Sequence, residues 1–580
     1  MDFQRIIKLA KKSCPYIQST SVSHLRNLST LKASEVPGLK TTGNALIGMA
    51  RTCPVFGKAL NESEKRDKKK FSSSAKCPHQ ATPKLNATVA PEISVTCPKF
   101  SSNAYPTPVA FNNTSKSFDY EGFYENEINK KHQDKSYRYF NNINRLAAEF
   151  PLAHTVKGLQ DKVTVWCSND YLGMSKHPEV VNAMKETLDI YGAGAGGTRN
   201  ICGNAQLHLS LEKEVSLLHN KQSSLVFSSC FVANDATLST LASKLPNCVI
   251  FSDSSNHASM IQGIRNSRAK KMIFRHNDIV HLESLLKSVD INVPKIIAFE
   301  SVYSMCGSVG CIKEIIALAK KYKAITFLDE VHAVGMYGKS GAGVAEYIDE
   351  MKDIDIISGT LGKAYGVVGG YISGSAGLVD MIRSYAPGFI FTTSLPPAIM
   401  AGAITSIRHL RNSEVERSMQ QLHTRKLKDK LNLMGIPVVP NPSHIVPVLV
   451  GNALEAKEIS DELLNRFKIY VQSINYPTVS VGEERLRITP TPGHDEVHME
   501  KLVDSLETIW RERNLNRVED WKVMGGRAGV GSPDSQPLDQ LVKKEDLCFY
   551  ENVVNYKEIS SSSSVYSMEV ESVYNTCSVF

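Results

Sequence analysis

The run 324-AITFLDEVHAVG-335 decides the fold. Ala324 to Leu328 are small, apolar or β-branched, and they are followed at once by Asp329, Glu330 and then His332. An apolar run of this length without polar alternation reads as a strand buried on both faces, which implies a parallel sheet with helices on either side. Carboxylates at the mouth of such a strand are costly to bury alone, so they call for a partner.

Runs of the same kind recur on both sides. They are KVTVW (162–166), SSLVFSS (223–229), CVIFSD (248–253), KMIFRH (271–276), KIIAFE (295–300), IDIISG (354–359) and GGYISG (369–374). Between most of them the spacing turns helical, as in CFVANDATLSTLASKL after SSLVFSS. Strands alternating with helices predict an α/β fold with a large, mostly parallel-sheet domain over 165–410. A helical segment over 116–164 precedes it. The shorter alternation from HIVPVLV to WRERNLNR predicts a smaller C-terminal α+β domain over 411–518. Beyond it, GGRAGVGSPDSQP and a serine run read as a flexible extension over 519–580.

The chain has 580 residues, 42% hydrophobic and 22% charged, with a formal charge of +8. That charge is unevenly placed. Residues 1–100 hold 17 Lys and Arg against 6 Asp and Glu, and the remaining 480 hold 50 against 53. The basicity therefore sits in a leader, which argues against a nucleic-acid-binding face on the folded body. No stretch approaches the roughly 18 consecutive apolar residues of a membrane-spanning helix, so any membrane role is peripheral. In MDFQRIIKLAKK, Phe3, Ile6, Ile7 and Ala10 recur at helical spacing with Arg5, Lys8, Lys11 and Lys12 elsewhere on the wheel. This is the pattern of a mitochondrial targeting peptide, with a plain basic arm as the alternative, and it sets residues 1–115 apart from the fold.

Of the 12 cysteines, the six between Cys167 and Cys311 show neither metal-type spacing nor a disulfide framework. Four others, Cys14, Cys53, Cys77 and Cys97, each stand directly before a proline in the leader. Proline holds its predecessor extended, which leaves an accessible thiolate suited to haem iron. The alternative is a set of turn-forming dipeptides.

In parallel sheets, chemistry gathers where the strands end. Asp329 and His332 lie at one such end. Lys363, in 358-SGTLGKAYG-366, follows the next. A lysine in that position makes sense if its amine is bonded to pyridoxal phosphate, and Asp329 would then face the ring nitrogen and keep it protonated. The strand-to-helix turn at Cys230 and Phe231 offers backbone N–H groups to a phosphate. His257, in 252-SDSSNHAS-259, is placed to stack on the ring. The glycine cluster 191-YGAGAGGTRNICG-203 is a weak phosphate signal by itself.

Nine stretches in order carry a resemblance: VWCSNDYLGM, GAGAGGTRNICG, SSCFVANDA, SNHASMIQGIRNS, FLDEVHAVGMYG, IISGTLGKAYG, GFIFTTSLPP, INYPTVS and RLRITPTPGH. Over about residues 117–515 the chain looks like the 5-aminolevulinate synthases, within the α-oxoamine synthase branch of fold type I pyridoxal-phosphate enzymes. The resemblance implies a PLP-dependent acyltransferase of the mitochondrial matrix, peripheral at most to the inner membrane, that condenses glycine with succinyl-CoA in haem biosynthesis. It implies a homodimer with shared active sites, and haem as a regulatory ligand of the Cys-Pro motifs.

It also implies residue roles. Lys363 would bond the cofactor, Asp329 pair with the ring nitrogen, His332 donate to the ring hydroxyl and His257 stack. Val331, Thr360 and the turn at Cys230 and Phe231 would complete the cofactor contacts, with Thr392 and Thr393 arriving from the other subunit. Arg487 and Asn169 would hold the glycine carboxylate. Arg138, Thr198 and Asn200 would recognise the succinyl carboxylate. Ser252, Lys271, Ser304 and Thr478 would line the acyl-CoA path, with Glu300 among the substrate contacts.

Two departures stand out. Cys306 replaces the usual aspartate of SMDG, and Ser480 with Val481 replace a proline and an arginine in the mobile YPTV loop. The rivals are a sister synthase of the 2-amino-3-ketobutyrate CoA ligase type and an inactive haem-sensing homologue.

Overall fold

Ile325–Asp329 is the middle strand of a seven-stranded sheet. Phe327 and Leu328 are both fully buried, and they fall in different apolar clusters. Successive strand residues point to opposite faces, so this one strand feeds the packing above and below the sheet. Each such side chain contributes roughly 1.5–3 kcal/mol of burial. A continuous apolar run is what that environment requires.

The computed structural model describes residues 118–532 and 540–547. The expectations for the targeting leader and for Cys14, Cys53, Cys77 and Cys97 lie outside the described residues.

In chain order the strands are β1 (Ile143–Arg145), β2 (Leu152–Thr155), β3 (Lys162–Val165), β4 (Ser223–Phe227), β5 (Val249–Asp253), β6 (Lys270–Phe274), β7 (Lys295–Glu300), β8 (Ile325–Asp329), β9 (Ile356–Thr360), β10 (Gly370–Gly374), β11 (Val446–Leu449), β12 (Ile469–Tyr470), β13 (Gln472–Ile474) and β14 (Arg485–Ile488). The large sheet has the order β4-β10-β9-β8-β7-β5-β6. Only β10 runs against its neighbours, β4 and β9. The carboxyl ends of the other six therefore share one edge, and that edge carries Asp253, Glu300, Asp329 and Thr360.

Two smaller sheets complete the fold. β11, β14 and β13 form an antiparallel sheet, and the helices Val415–Leu433, Ala453–Arg466 and Glu496–Glu512 supply the side chains that pack with it, around Trp510 and Leu486. The other sheet has the order β1-β2-β3-β12. KVTVW, read as the first run of the large domain, belongs here instead: β3 pairs with β12 in parallel, through Thr164 with Ile469. The segment read as helical over 116–164 contains one helix, Tyr120–Gln133, capped by the Asp119 carboxylate accepting from Gly122 N at 3.0 Å, and then these three strands.

The extension read as flexible from 519 is packed over the described parts. Val518–Val523 forms a short helix that buries Trp521 against Val439, Leu449 and Val530. The indole lies so close to Gly451 that a Cβ there would meet it at 2.6 Å; with φ +77°, that position favours glycine for both reasons. Further on, Leu541 N donates to Pro442 O at 2.7 Å, and Tyr347 Oη donates to Leu541 O at 2.9 Å. The side chains of Leu541 and Val542 pack on the main core. Among the described residues, no helix is long and apolar enough to cross a membrane.

Candidate active site

Two neighbouring strand ends build the centre of the site. β8 delivers Asp329, 4% exposed, whose carboxylate accepts from Val331 N at 2.8 Å and from Asn234 Nδ2 at 2.7 Å. Burial pushes this carboxyl up, while the Val331 N–H, His257 and Lys363 favour its ionised form. The turn after β8 carries His332. The loop after β9 carries Lys363, whose Nζ lies 2.8 Å from His332 Nε2. Part of the lysine side chain reaches solvent, yet desolvation of the amine lowers its pKa to about 8, against the opposing pull of Asp329. His332 is held neutral by burial and by the nearby cations Lys363 and Arg487.

From His332 the network runs on. Its Nδ1 meets Tyr171 Oη at 2.8 Å, and Arg487 Nη2 donates to the same hydroxyl at 2.9 Å. Arg487, on β14, also donates to Asn169 Oδ1 at 3.2 Å and to Ser304 O at 3.0 Å. The structure thus brings Lys363, His332, Asn169, Ser304 and Arg487 together. His257 caps the helix Ala258–Ser267, and its backbone N–H donates to Glu300 Oε1 at 2.5 Å. Burial, with Asp329 close by, raises the Glu300 pKa well above the ordinary carboxylate value and so favours its protonated form.

The remaining candidates lie in other groups. Arg138 Nη2 donates to Thr478 Oγ1 at 3.3 Å, both far apart in sequence. Thr198 bridges to Thr393 and donates to Asn200 Oδ1 at 2.7 Å, which places Thr198, Asn200, Thr392 and Thr393 in one second cluster. Lys271 is exposed on β6. Ser252 is buried in β5, its hydroxyl occupied by Asp253 O and Asn256. Thr360 Oγ1 accepts from Gly362 N at 3.1 Å and so tethers the Lys363 loop.

Two residues of this site escaped the sequence reading. Tyr171 links His332 to Arg487, and Asn234 orients Asp329. Both lie within stretches that had been singled out, VWCSNDYLGM and SSCFVANDA, but nothing local distinguishes them from core residues.

The donor set fits pyridoxal phosphate. A buried carboxylate faces the cluster, a depressed lysine amine stands beside it, and the 15-residue helix Cys230–Lys244 presents its N-terminus, with Ser229 Oγ accepting from Val232 N. The approach at that turn is close: a Cβ on Gly370 would come within 2.2 Å of Cys230 N.

The family model for aminotransferase class I and II matches residues 161–506. The curated mitochondrial 5-aminolevulinate synthase of Yarrowia lipolytica is 52% identical over 574 residues, covering 94% of this chain and 99% of its own. That of Agaricus bisporus is 61% identical over 442 residues, covering 73% and 71%. The chain belongs to the 5-aminolevulinate synthase family. Among solved structures, a lysine-to-alanine variant of the serine palmitoyltransferase of S. paucimobilis with a bound PLP–myriocin aldimine is similar at 27% identity and a TM-score of 0.63, covering 68% of this chain and all of that one. Like the rest of the 5-aminolevulinate synthase family, this mitochondrial chain is a PLP-dependent acyltransferase of fold type I. The relatives favour that reading over the sister synthases and over an inactive homologue.

Proposed function

We propose that this site condenses glycine with succinyl-CoA, giving 5-aminolevulinate, CoA and CO2. One observation carries the reading: a chain of hydrogen bonds, each 2.8–2.9 Å, joins Lys363 through His332 and Tyr171 to Arg487. A proton acceptor and a carboxylate anchor stand in one rigid network, which is what an α-amino acid losing its α-proton needs.

Pyridoxal phosphate, when bound, supplies an electron sink for charge developing on the amino acid's α-carbon. The protein residues do the rest. Asp329 would supply a negative charge to the cofactor's ring nitrogen. The N-terminus of Cys230–Lys244, together with Thr360, would hold its phosphate. Arg487 and Asn169 fix the glycine carboxylate, which sets the direction of the α C–H bond. Lys363 Nζ, once free, accepts that proton and later returns one. Neutral His332 positions the amine, and the raised pKa of Glu300 disfavours a second anion beside Asp329.

Thr392 and Thr393 act in this proposal from a second copy of the chain, within a homodimer of the mitochondrial matrix. The adjoining Phe391 and Ile201 are 78% and 67% exposed, apolar surface of the kind that a partner covers.

Arg138 gives the acyl specificity in this account. A charge-assisted hydrogen bond contributes about 1.5–3 kcal/mol, or roughly 10–150-fold. Arg138→Ala is therefore expected to lower kcat/KM for succinyl-CoA by about that factor while leaving butyryl-CoA, which lacks the carboxylate, nearly unaffected. Steady-state assays with both donors decide it. Equal losses with the two would refute Arg138 as the acyl-carboxylate group.

A further inference from the structure

We propose that Cys306 is a modification site: a nucleophilic thiolate, set up by His276 and Asp253, whose oxidation by a hydroperoxide loosens the loop that supports Arg487. The part concerning Arg487 rests on the function proposed above; the part concerning the thiol does not.

Three neighbouring strands bring the groups together. β5 ends in Asp253, β6 leads into Arg275 and His276, and β7 leads into the loop 301–311 that carries Cys306 and Ser308. Asp253, 2% exposed, lies with Oδ1 3.0 Å from His276 Nδ1, and it is fixed from behind by Ser255 N at 2.8 Å and Asn277 N at 3.0 Å. The other ring nitrogen of His276 is 2.7 Å from Ser308 Oγ, which is 3.0 Å from Cys306 Sγ. The Tyr303 ring meets His276 edge-on at 4.4 Å and fixes its orientation. A nucleophile, a base and an acid that orients the base stand in the order that activates a thiol.

The electrostatics agree with the geometry. Burial lowers the His276 pKa, but Asp253 and Cys306 more than reverse this and bring it to about 10, so the imidazole is a cation at neutral pH. Burial opposes ionisation of Cys306, and the hydrogen bonds of His276 and Ser308 overcome it, so the thiol titrates below its ordinary value. The other titratable groups facing it are Arg485 on β14, which donates to Met305 O at 3.3 Å, and Glu300, whose pKa burial raises. The other perturbed thiols move the opposite way: burial pushes Cys167 up to about 12 and Cys248 to about 11, and raises Cys230 and Cys311. Cys306 is also only partly buried, so a small reagent can reach it.

In the reaction, the sulfur attacks one peroxide oxygen, an S–O bond forms and the O–O bond breaks. Sulfur loses two electrons, and the departing hydroxide takes the proton of His276 and leaves as water. A sulfenic acid remains, which an added thiol reduces. The added oxygen displaces the Ser308 hydroxyl. The loop has little slack on its other side, because a Cβ on Gly307 would already stand 2.5 Å from Asn441 Oδ1. The carbonyl that moves is that of Ser304, which holds Arg487.

The test uses the full-length holoenzyme. Iodoacetamide labelling of Cys306 is followed by peptide mass spectrometry at pH 7 and pH 9, with N-acetylcysteine as the free reference. A free thiol slows about 25-fold between pH 9 and pH 7. Cys306 is expected to slow by clearly less than that, and His276→Asn to restore the steep dependence. Hydrogen peroxide is then expected to raise the glycine KM of the wild type about tenfold, reversibly with dithiothreitol, while Cys306→Ser keeps its KM through the same treatment. Labelling as steep as that of the free thiol, or unchanged by His276→Asn, overturns the thiolate. Flat labelling with a glycine KM indifferent to peroxide overturns the control of Arg487. An enzyme that does not use glycine at all instead refutes the proposed reaction, and the labelling still decides the thiol.

Discussion

Lys363→Ala is expected to lower kcat by about 10⁴-fold or more, since it removes the covalent attachment and the general base together, and the base alone is typically worth 10²–10⁴. The loss should fall on kcat and leave the fold intact: the amine's hydrogen-bond partner, His332, keeps Tyr171. The visible absorbance of the lysine-bound cofactor should vanish in the same variant. A pH signature accompanies it. The amine must be neutral to bond the cofactor, and in the protein without cofactor it titrates near 8. The neutral fraction grows as pH rises, so uptake of PLP by wild-type apoprotein should accelerate up to about pH 8 and level off above it. Stopped-flow absorbance measures this. A Lys363→Ala enzyme retaining more than about 1% of the rate would contradict the assignment.

Asp329→Asn is expected to cost about 10²–10³-fold in kcat, the size typical of removing one preorganised electrostatic group from a buried site. The substitution keeps the shape and removes the charge. Asn234 Nδ2 and Val331 N now donate to the two carboxylate oxygens, so the new amide must turn its own N–H groups toward one of them. Some stability is lost with that bond, about 1–3 kcal/mol for an unsatisfied buried donor. Cofactor affinity and kcat measured on protein shown to be folded by thermal melting separate the two effects. Unchanged kcat in folded, cofactor-loaded Asp329→Asn would exclude the ring-nitrogen role.

The sequence made the large sheet readable because its strands are buried on both faces, and burial on both faces leaves no polar alternation: KIIAFE and ITFLD are legible for the reason that Ile296 and Ile297 pack on opposite sides. Sheet membership was not legible for KVTVW, because its parallel partner, Ile469–Tyr470, is two residues long and about 300 positions away. Trp521 was hidden by its surroundings. Glycine, serine and proline after it carry a linker signal, and one buried indole facing Gly451 has no period to detect.

The site divides in the same way. Asp329, His332 and Lys363 stand at strand ends, where their polarity interrupts an apolar pattern. Tyr171 and Asn234 reach the site across 161 and 95 positions, to His332 and to Asp329, and look like ordinary core residues in their own segments. The His276–Cys306 pair is closer to this second kind: Cys306 stood out only as a departure from SMDG, and it forms a unit with His276 only when β6 and β7 flank β5.

The central claim is tested most directly by product analysis of the purified enzyme with PLP, [2-¹³C]glycine and equal concentrations of succinyl-CoA, acetyl-CoA and butyryl-CoA. The account predicts labelled 5-aminolevulinate with one equivalent of CO2, and at least about tenfold less product from either uncharged donor. Preferential formation of the acetyl product, or release of CoA without labelled 5-aminolevulinate, would contradict it.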